Sequence, residues 1–355
     1  MRRVGRVAKW LIGGAAGAAV AAAERLLLAA PRYRGPVTDH FDGARFHNHD
    51  RTRQGGFLKW MLTKEPGLWP EWIDAPPGPP PPARVGDGAL RVTFINHATL
   101  LIQIENVNIL TDPIWSERTS PVSFAGPRRH RPPGIRFEDL PPIDAVLVSH
   151  NHYDHLDLPT LRRLDAPRVF TPLGNGALIG SRATELDWWQ SAKLAGNIDV
   201  HLVPARHFCA RGVSDRNRNL WGGFVLTAPS GNVYFAGDTG WGEHFAEIGK
   251  RFAPIRLALL PIGAYLPRWF MQPVHIDPKQ ALDAHLALGA FTSVAMHYGT
   301  FALGDDGLDD PVRELRAALD ERNETRFWVL REGEGKEIPP CIEQSAPGLT
   351  ASSIT

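Results

Sequence analysis

The chain has 355 residues, 43% of them hydrophobic and 22% charged, so it can bury one large core or two modest ones and reads as a globular protein. Its 39 basic and 38 acidic residues leave no overall field to attract nucleic acid, and that class of partner has no support in the composition. Cys209 and Cys341 belong to no C-x-x-C pair, which removes a cysteine zinc knuckle and argues against a disulfide framework.

Arg2, Arg3, Arg6 and Lys9 precede an uncharged stretch from Trp10 to Ala23 that ends in three alanines. Residues 1–30 therefore have the pattern of a secretory signal, with an uncleaved membrane anchor as the rival. The stretch is shorter than the roughly 20 residues a spanning helix needs, so an anchor would have to include Glu24 and Arg25. Membrane association or export to the cell envelope is expected, against a soluble Ala-rich helix. Residues 31–83 form an aromatic-rich extension in which Phe57, Trp60 and Met61 fall at helical spacing and are expected to pack into a core. An apolar face that meets lipid is the alternative. His47 and His49 read as a solvated loop. The Pro-rich run at 76–82 is a stiff connector, placing a catalytic domain at 84–340 and a tail at 341–355.

Residues 90–95, 100–104 and 107–110 read as successive strands, and Asp112 follows the third. The loop at 115–133 holds Arg128, Arg129, His130 and Arg131; the guanidinium groups could hold a phosphate, but the loop is read as a solvated basic one outside the site. Ala145 to Val148 is a short buried strand, and Pro159 suits the first turn of a helix, so His150-Asn151-His152-Tyr153-Asp154-His155 is a strand-to-helix loop. Three imidazoles and a carboxylate crowd together at little cost only around a cation; a His-rich surface turn is the bland reading. His150 and His152 project to one side of extended backbone and Asp154 and His155 follow at the turn, so this loop can serve two adjacent ions. Beyond it come a strand at 168–171, a helix at 176–183, a strand at 198–204 ending near His207, and a hairpin of 222–227 with 233–236 that delivers Asp238. A strand at 255–262, a helix at 279–288, a strand at 293–296 that delivers His297 and a helix at 311–322 complete the pattern. Strands first, then alternation, predicts an α/β fold of two sheets with helices on both outer faces.

H-x-H-x-D-H after an apolar strand resembles the metallo-β-lactamase superfamily. Asn96-His97-Ala98-Thr99, Thr111-Asp112-Pro113, Leu220-Trp221-Gly222-Gly223-Phe224, Gly237-Asp238-Thr239-Gly240 and Met296-His297-Tyr298-Gly299-Thr300 look like its branch containing N-acylphosphatidylethanolamine-hydrolysing phospholipase D, over about residues 33–335. The resemblance implies a four-layer αββα sandwich. It also implies one metal on His150, His152 and His207, another on Asp154, His155 and His297, and Asp238 bridging them, with Asp112 supporting the loop through hydrogen bonds. Asp154 is implied to take part in catalysis, and His275 to face substrate, stabilising phosphate or donating a proton, against a reading as a helix-capping neighbour of Asp277. His97 is treated as a neighbour of the site, although the branch usually shows Gly where this chain has Asn96. The apolar loop from Tyr265 to Met271 reads by default as a packed loop, although it would also suit an acyl chain or headgroup. A nitrogen and oxygen donor set suits two Zn2+, with iron or manganese open.

The implied function is a binuclear zinc hydrolase, a membrane-associated phosphodiesterase of phospholipase D type acting on a phospholipid or other anionic diester; a homo-oligomer is left open. A lactone or ester hydrolase of the same fold is the first alternative. A di-iron redox protein is the second, against which the lack of a flavin or dinucleotide Gly-rich motif counts. A non-enzymatic metal-stabilised module is the third, and loss of ligand residues would be expected there.

Overall fold

Alternation with period two sorts the first sheet onto two faces. In β1 (Leu90–Asn96), Leu90, Val92 and Phe94 belong to the main core while Ile95 faces a second cluster. β2 (Thr99–Ile104), β3 (Val107–Thr111), β4 (Ala145–Leu147) and β5 (Arg168–Pro172) repeat the division: Ile102, Ile109, Leu147 and Phe170 point inward, and Leu101, Leu110, Val146 and Val169 outward. β6 (Ala183–Leu186) ends this half. The computed structural model describes residues 29–50, 54–165 and 168–341. The leader or anchor expected at 1–30 thus lies almost wholly outside the described residues, as does the tail after Cys341.

The second sheet follows as β7 (Ser191–Ala195), β8 (Ile198–Val203), β9 (Gly223–Thr227), β10 (Asn232–Phe235), β11 (Ile255–Pro261), β12 (Thr292–Met296) and β13 (Phe327–Trp328), and β14 (Gly335–Glu337) returns to the first. The orders are β14-β1-β2-β3-β4-β5-β6 and β13-β12-β11-β10-β9-β8-β7. Each sheet changes from antiparallel to parallel pairing midway, at β3–β4 in one and β10–β11 in the other. Parallel strands all end on the same edge, so the loops after β3, β4, β10 and β12 gather there, where α/β sheets place their ligands.

Helices cover both outer faces. Against the first sheet, Leu161 of α2 (Leu158–Arg163) and Ile179 of α3 (Gly176–Ile179) join the second cluster. Against the second sheet, Phe245 and Ile248 of α4 (His244–Phe252), Ala281 and Leu288 of α6 (Pro278–Leu288), and Leu315 of α7 (Asp310–Arg322) join the main core. The remaining short helices are α1 (Phe57–Leu62) and α5 (Arg268–Met271). The four-layer αββα sandwich is therefore the observed fold. Asp277 starts α6 with a reciprocal capping box to Gln280. Among the described residues no helix is long and apolar enough to cross a membrane.

Three local expectations change. The helix expected over 176–183 stops at Ile179, and Ala183 already opens β6 because its backbone pairs with Val169. The aromatic stripe of α1 is not core: only Trp60 is buried, against Phe270 and Met271, whereas Phe57 and Met61 are exposed along with Leu58 and Leu62. The loop at 128–131 is not simply solvated: Arg129 is 3% exposed, donates to the carbonyls of Ser116 and Ile114, and lies over the ring of Phe301. Arg131 pairs with Glu332, and Arg128 stays at the surface beside Glu117. Upstream, Phe41 and Phe46 are buried in the main core, and Ile73 and Gly78 donate backbone hydrogen bonds to His130 and Gly134.

Candidate metal centre

Asp112 follows β3 in the left-handed region, φ 31°, which turns its carboxylate back under the next strand's loop. There it accepts from the backbone N–H of Ser149 at 2.7 Å, the Ser149 hydroxyl at 2.6 Å and Nδ1 of His155 at 2.6 Å. The Ser149 hydroxyl, having donated to Asp112, accepts from Nδ1 of His150 at 2.9 Å. His207 is fixed similarly: its Nδ1 donates to the carbonyl of Val274 at 2.9 Å, and the side-chain amide of Asn48 brackets its backbone N–H and carbonyl. In His150, His155 and His207 the Nδ1 proton is thereby committed, and Nε2 is left with its lone pair.

The loops of the two sheets meet at Gly237, φ 59°, where a Cβ would stand 2.7 Å from Cβ of Ser149. Only glycine lets Asp238 approach so closely. Thr239 then accepts from the backbone N–H of Arg206, tying the Asp238 and His207 loops together. His297, after β12, also has positive φ, 60°, and donates its N–H to the carbonyl of His97 at 2.7 Å.

All seven residues expected to hold metal come together. Donor atoms of His150, His152 and His207 lie within 4.8 Å of one another, and so do those of His97, Asp154, His155 and His297. Asp238 stands between the groups. Its Oδ2 is 3.2 Å from His155 Nε2, 3.7 Å from His207 Nε2 and 3.8 Å from His150 Nε2, and its Oδ1 is 3.2 Å from His297 Nε2. His275 completes the rim with Nδ1 3.9 Å from Asp238 Oδ2 and, like His152, is only partly buried.

These residues fit a metal. His155 Nε2, His297 Nε2 and Asp238 Oδ1 are buried without a hydrogen-bond partner among the described residues, even though they are about 3 Å from one another's groups. Leaving such atoms unpaired is costly unless their lone pairs share a cation. Burial holds His150, His152 and His207 below the usual imidazole value, His152 at about 4, so they are in the neutral, ligating form. At Asp154 and Asp238 burial works against ionisation, but the facing His155 and His297 outweigh it and keep both carboxylates well below their usual value. The carboxylates in turn outweigh burial at those two rings and raise them, a buried pairing of charge that a cation on the same atoms would replace.

His97 lies closer to the centre than its sequence suggested, with Nε2 3.0 Å from Asp154 Oδ2. The unusual turn at Asn96 is resolved by a bulge in the β1–β2 pairing, and the left-handed residue is His97, φ 48°. Asn48, Ser149 and Thr300 were not identified from sequence. Ser149 directly precedes the histidine loop, which is a local signal, whereas Asn48 is 159 residues from His207 and carries none.

The beta-lactamase superfamily domain matches residues 107–298. The chain is 39% identical over 269 residues to N-acyl-phosphatidylethanolamine-hydrolyzing phospholipase D 1 of Caenorhabditis elegans, covering 70% of this chain and 76% of that one. It is 35% identical over 236 residues to the mitochondrial N-acyl-phosphatidylethanolamine-hydrolyzing phospholipase D of Saccharomyces cerevisiae, covering 63% of this chain and 50% of the yeast protein. Among solved structures, the metallo hydrolase Igni18 from Ignicoccus hospitalis superposes with a TM-score of 0.53 at 24% identity, over 71% of this chain and 99% of that one, a likeness of fold.

Proposed function

We propose that this hydrolytic enzyme, which belongs to the beta-lactamase superfamily and within it to the branch of N-acylphosphatidylethanolamine-hydrolysing phospholipases D, is a binuclear zinc phosphodiesterase acting on N-acylated phospholipids. The observation that carries this reading is the position of Asp238, one carboxylate within reach of histidines from both donor groups. In this reading His150, His152 and His207 hold one ion, Asp154, His155 and His297 the other, and Asp238 both. The two ions, when bound, supply Lewis acidity towards water and the phosphoryl oxygens. Asp154 and Asp238 offset only part of that positive charge, which favours an anionic diester. His275, on the rim beside Asp238, hydrogen-bonds a phosphoryl oxygen or gives a proton to the departing alcohol. Hydrolysis then yields an N-acylethanolamine and a phosphatidic acid.

The surface supports a lipid substrate and contact with a membrane. Phe57, Leu58, Met61 and Leu62 of α1 are exposed beside the partly exposed Trp269, with Lys59 over the Trp269 ring, and Trp269 lies on the segment that leads to His275. Apolar side chains flanked by lysine suit an anionic bilayer surface. Together with the basic and apolar start of the sequence, this supports a reading of the enzyme as one of the cell envelope.

The test is metal analysis of protein purified without added metal, then a panel of N-acylphosphatidylethanolamine, a bis-aryl phosphodiester and a long-chain lactone. About two zinc per chain with turnover of the phospholipid is the expected result. Turnover of the lactone alone, or iron with a visible absorption band, overturns it.

A further inference from the structure

His97 combines features that packing alone does not explain. It is 1% exposed and left-handed, φ 48°, a conformation unfavourable for a residue with a Cβ. The backbone is locked there from both sides: its N–H donates to Thr300 Oγ1 at 3.0 Å and its carbonyl accepts from His297 at 2.7 Å. The ring centroid lies 4.0 Å from that of His297, and Phe301 packs edge-on at 5.3 Å. Nδ1 has no partner among the described residues, so a buried polar atom is left unsatisfied. An apolar side chain would fill this position without that cost. What the imidazole adds is one hydrogen bond, from Nε2 to Asp154 Oδ2 at 3.0 Å.

That oxygen is the one facing the donor nitrogens, 3.3 Å from His155 Nε2 and 3.5 Å from His297 Nε2. Asp154 follows the turn of the loop at 150–155, and its carboxylate is free to rotate about its terminal bond unless something holds it. A carboxylate only accepts, so His97 Nε2 carries the proton and donates. We propose that His97 is a positioning residue: its Nε2–H fixes the Asp154 carboxylate with Oδ2 aimed between His155 and His297, and the ion held by those three residues binds tightly because of it. The inference rests on the reading that Asp154, His155 and His297 hold a divalent ion.

The experiment is a chelator-buffered Co2+ titration of the full-length apoprotein, followed by the visible d–d bands and by near-ultraviolet circular dichroism. Wild type should take up two equivalents. His97→Asn tolerates the left-handed turn but is too short to reach Asp154; it should weaken one equivalent tenfold or more and leave the other, on His150, His152 and His207, unchanged. That unchanged equivalent also shows that the variant is folded. His97→Gln, which places an amide N–H near the position of Nε2, should restore most of the loss. Two equivalents bound as in wild type by His97→Asn, or no recovery in His97→Gln, overturns the proposal. A wild type that takes up fewer than two equivalents overturns the ligand reading beneath it as well.

Discussion

The Asp112 carboxylate receives a 2.6 Å hydrogen bond from Nδ1 of His155, although 43 residues separate them. Through that contact the end of β3 sets the tautomer and orientation of a proposed ligand at the end of β4. Asp112→Asn presents a donor amide to groups that themselves donate. It should lower metal affinity about 10- to 100-fold, the usual effect of losing a partner that orients a ligand, measured by chelator competition. Affinity equal to wild type would show that Asp112 serves folding only.

Asp154→Asn removes a carboxylate charge from the donor group while keeping its size. Turnover should fall to background with circular dichroism unchanged, and the variant should retain about one metal per chain by elemental analysis. Adding a chelator to wild type should likewise abolish turnover and lower the melting temperature, because an ion at 100 times its dissociation constant stabilises the folded state by about 2.7 kcal/mol. Full activity in Asp154→Asn removes that residue from the site.

Leu58 and Leu62 are 71% and 78% exposed on α1 and contribute little to the fold. Replacing both with Ser should change stability by less than about 0.5 kcal/mol for each substitution. Co-sedimentation with anionic phospholipid vesicles should drop tenfold or more, since burying one leucine contributes about 1.5–3 kcal/mol. Hydrolysis of a soluble diester should stay at the wild-type rate. Unchanged vesicle binding would move the membrane contact elsewhere.

His40 is buried between Asp39 at 2.5 Å and Asp187 at 2.7 Å, stacked on Trp188. Burial opposes charge on its ring, but the bonds to Asp187 and Asp39 outweigh it and raise the pKa above 6.5. Stabilisation by the charged ring is therefore complete below about pH 6.5 and fades as pH rises through the higher folded value. His40→Gln should cost on the order of 1 kcal/mol at pH 6 and less at pH 9, read from urea midpoints. A difference that grows with pH would contradict the pairing.

Much of this was legible in the sequence because the relevant signals are local. The histidine loop follows a four-residue apolar run, and Asp238 and His297 each come just after a strand with clear patterning. The missed elements lack such signals. β7 is a five-residue edge strand whose core-facing side offers only Ala192 and Leu194, both only partly buried, so its apolar signal is weak, and α4 starts without a side-chain cap and contains Gly249. The stripe at Phe57, Trp60 and Met61 was legible as a helix but not as a surface, because periodicity does not say whether another layer covers the face. Arg129 was unreadable for a related reason: its burial depends on carbonyls of Ile114 and Ser116 and on Phe301.

The proposed metal ligands run from His150 to His297, and β14 at residues 335–337 closes the sheet edge beside β1. A nascent chain therefore cannot complete this pocket until His297 and the β14 segment have left the ribosome. In the proposed reading, the early histidines are synthesised well before the partners that would share a cation with them, and the pocket forms only when those late partners arrive.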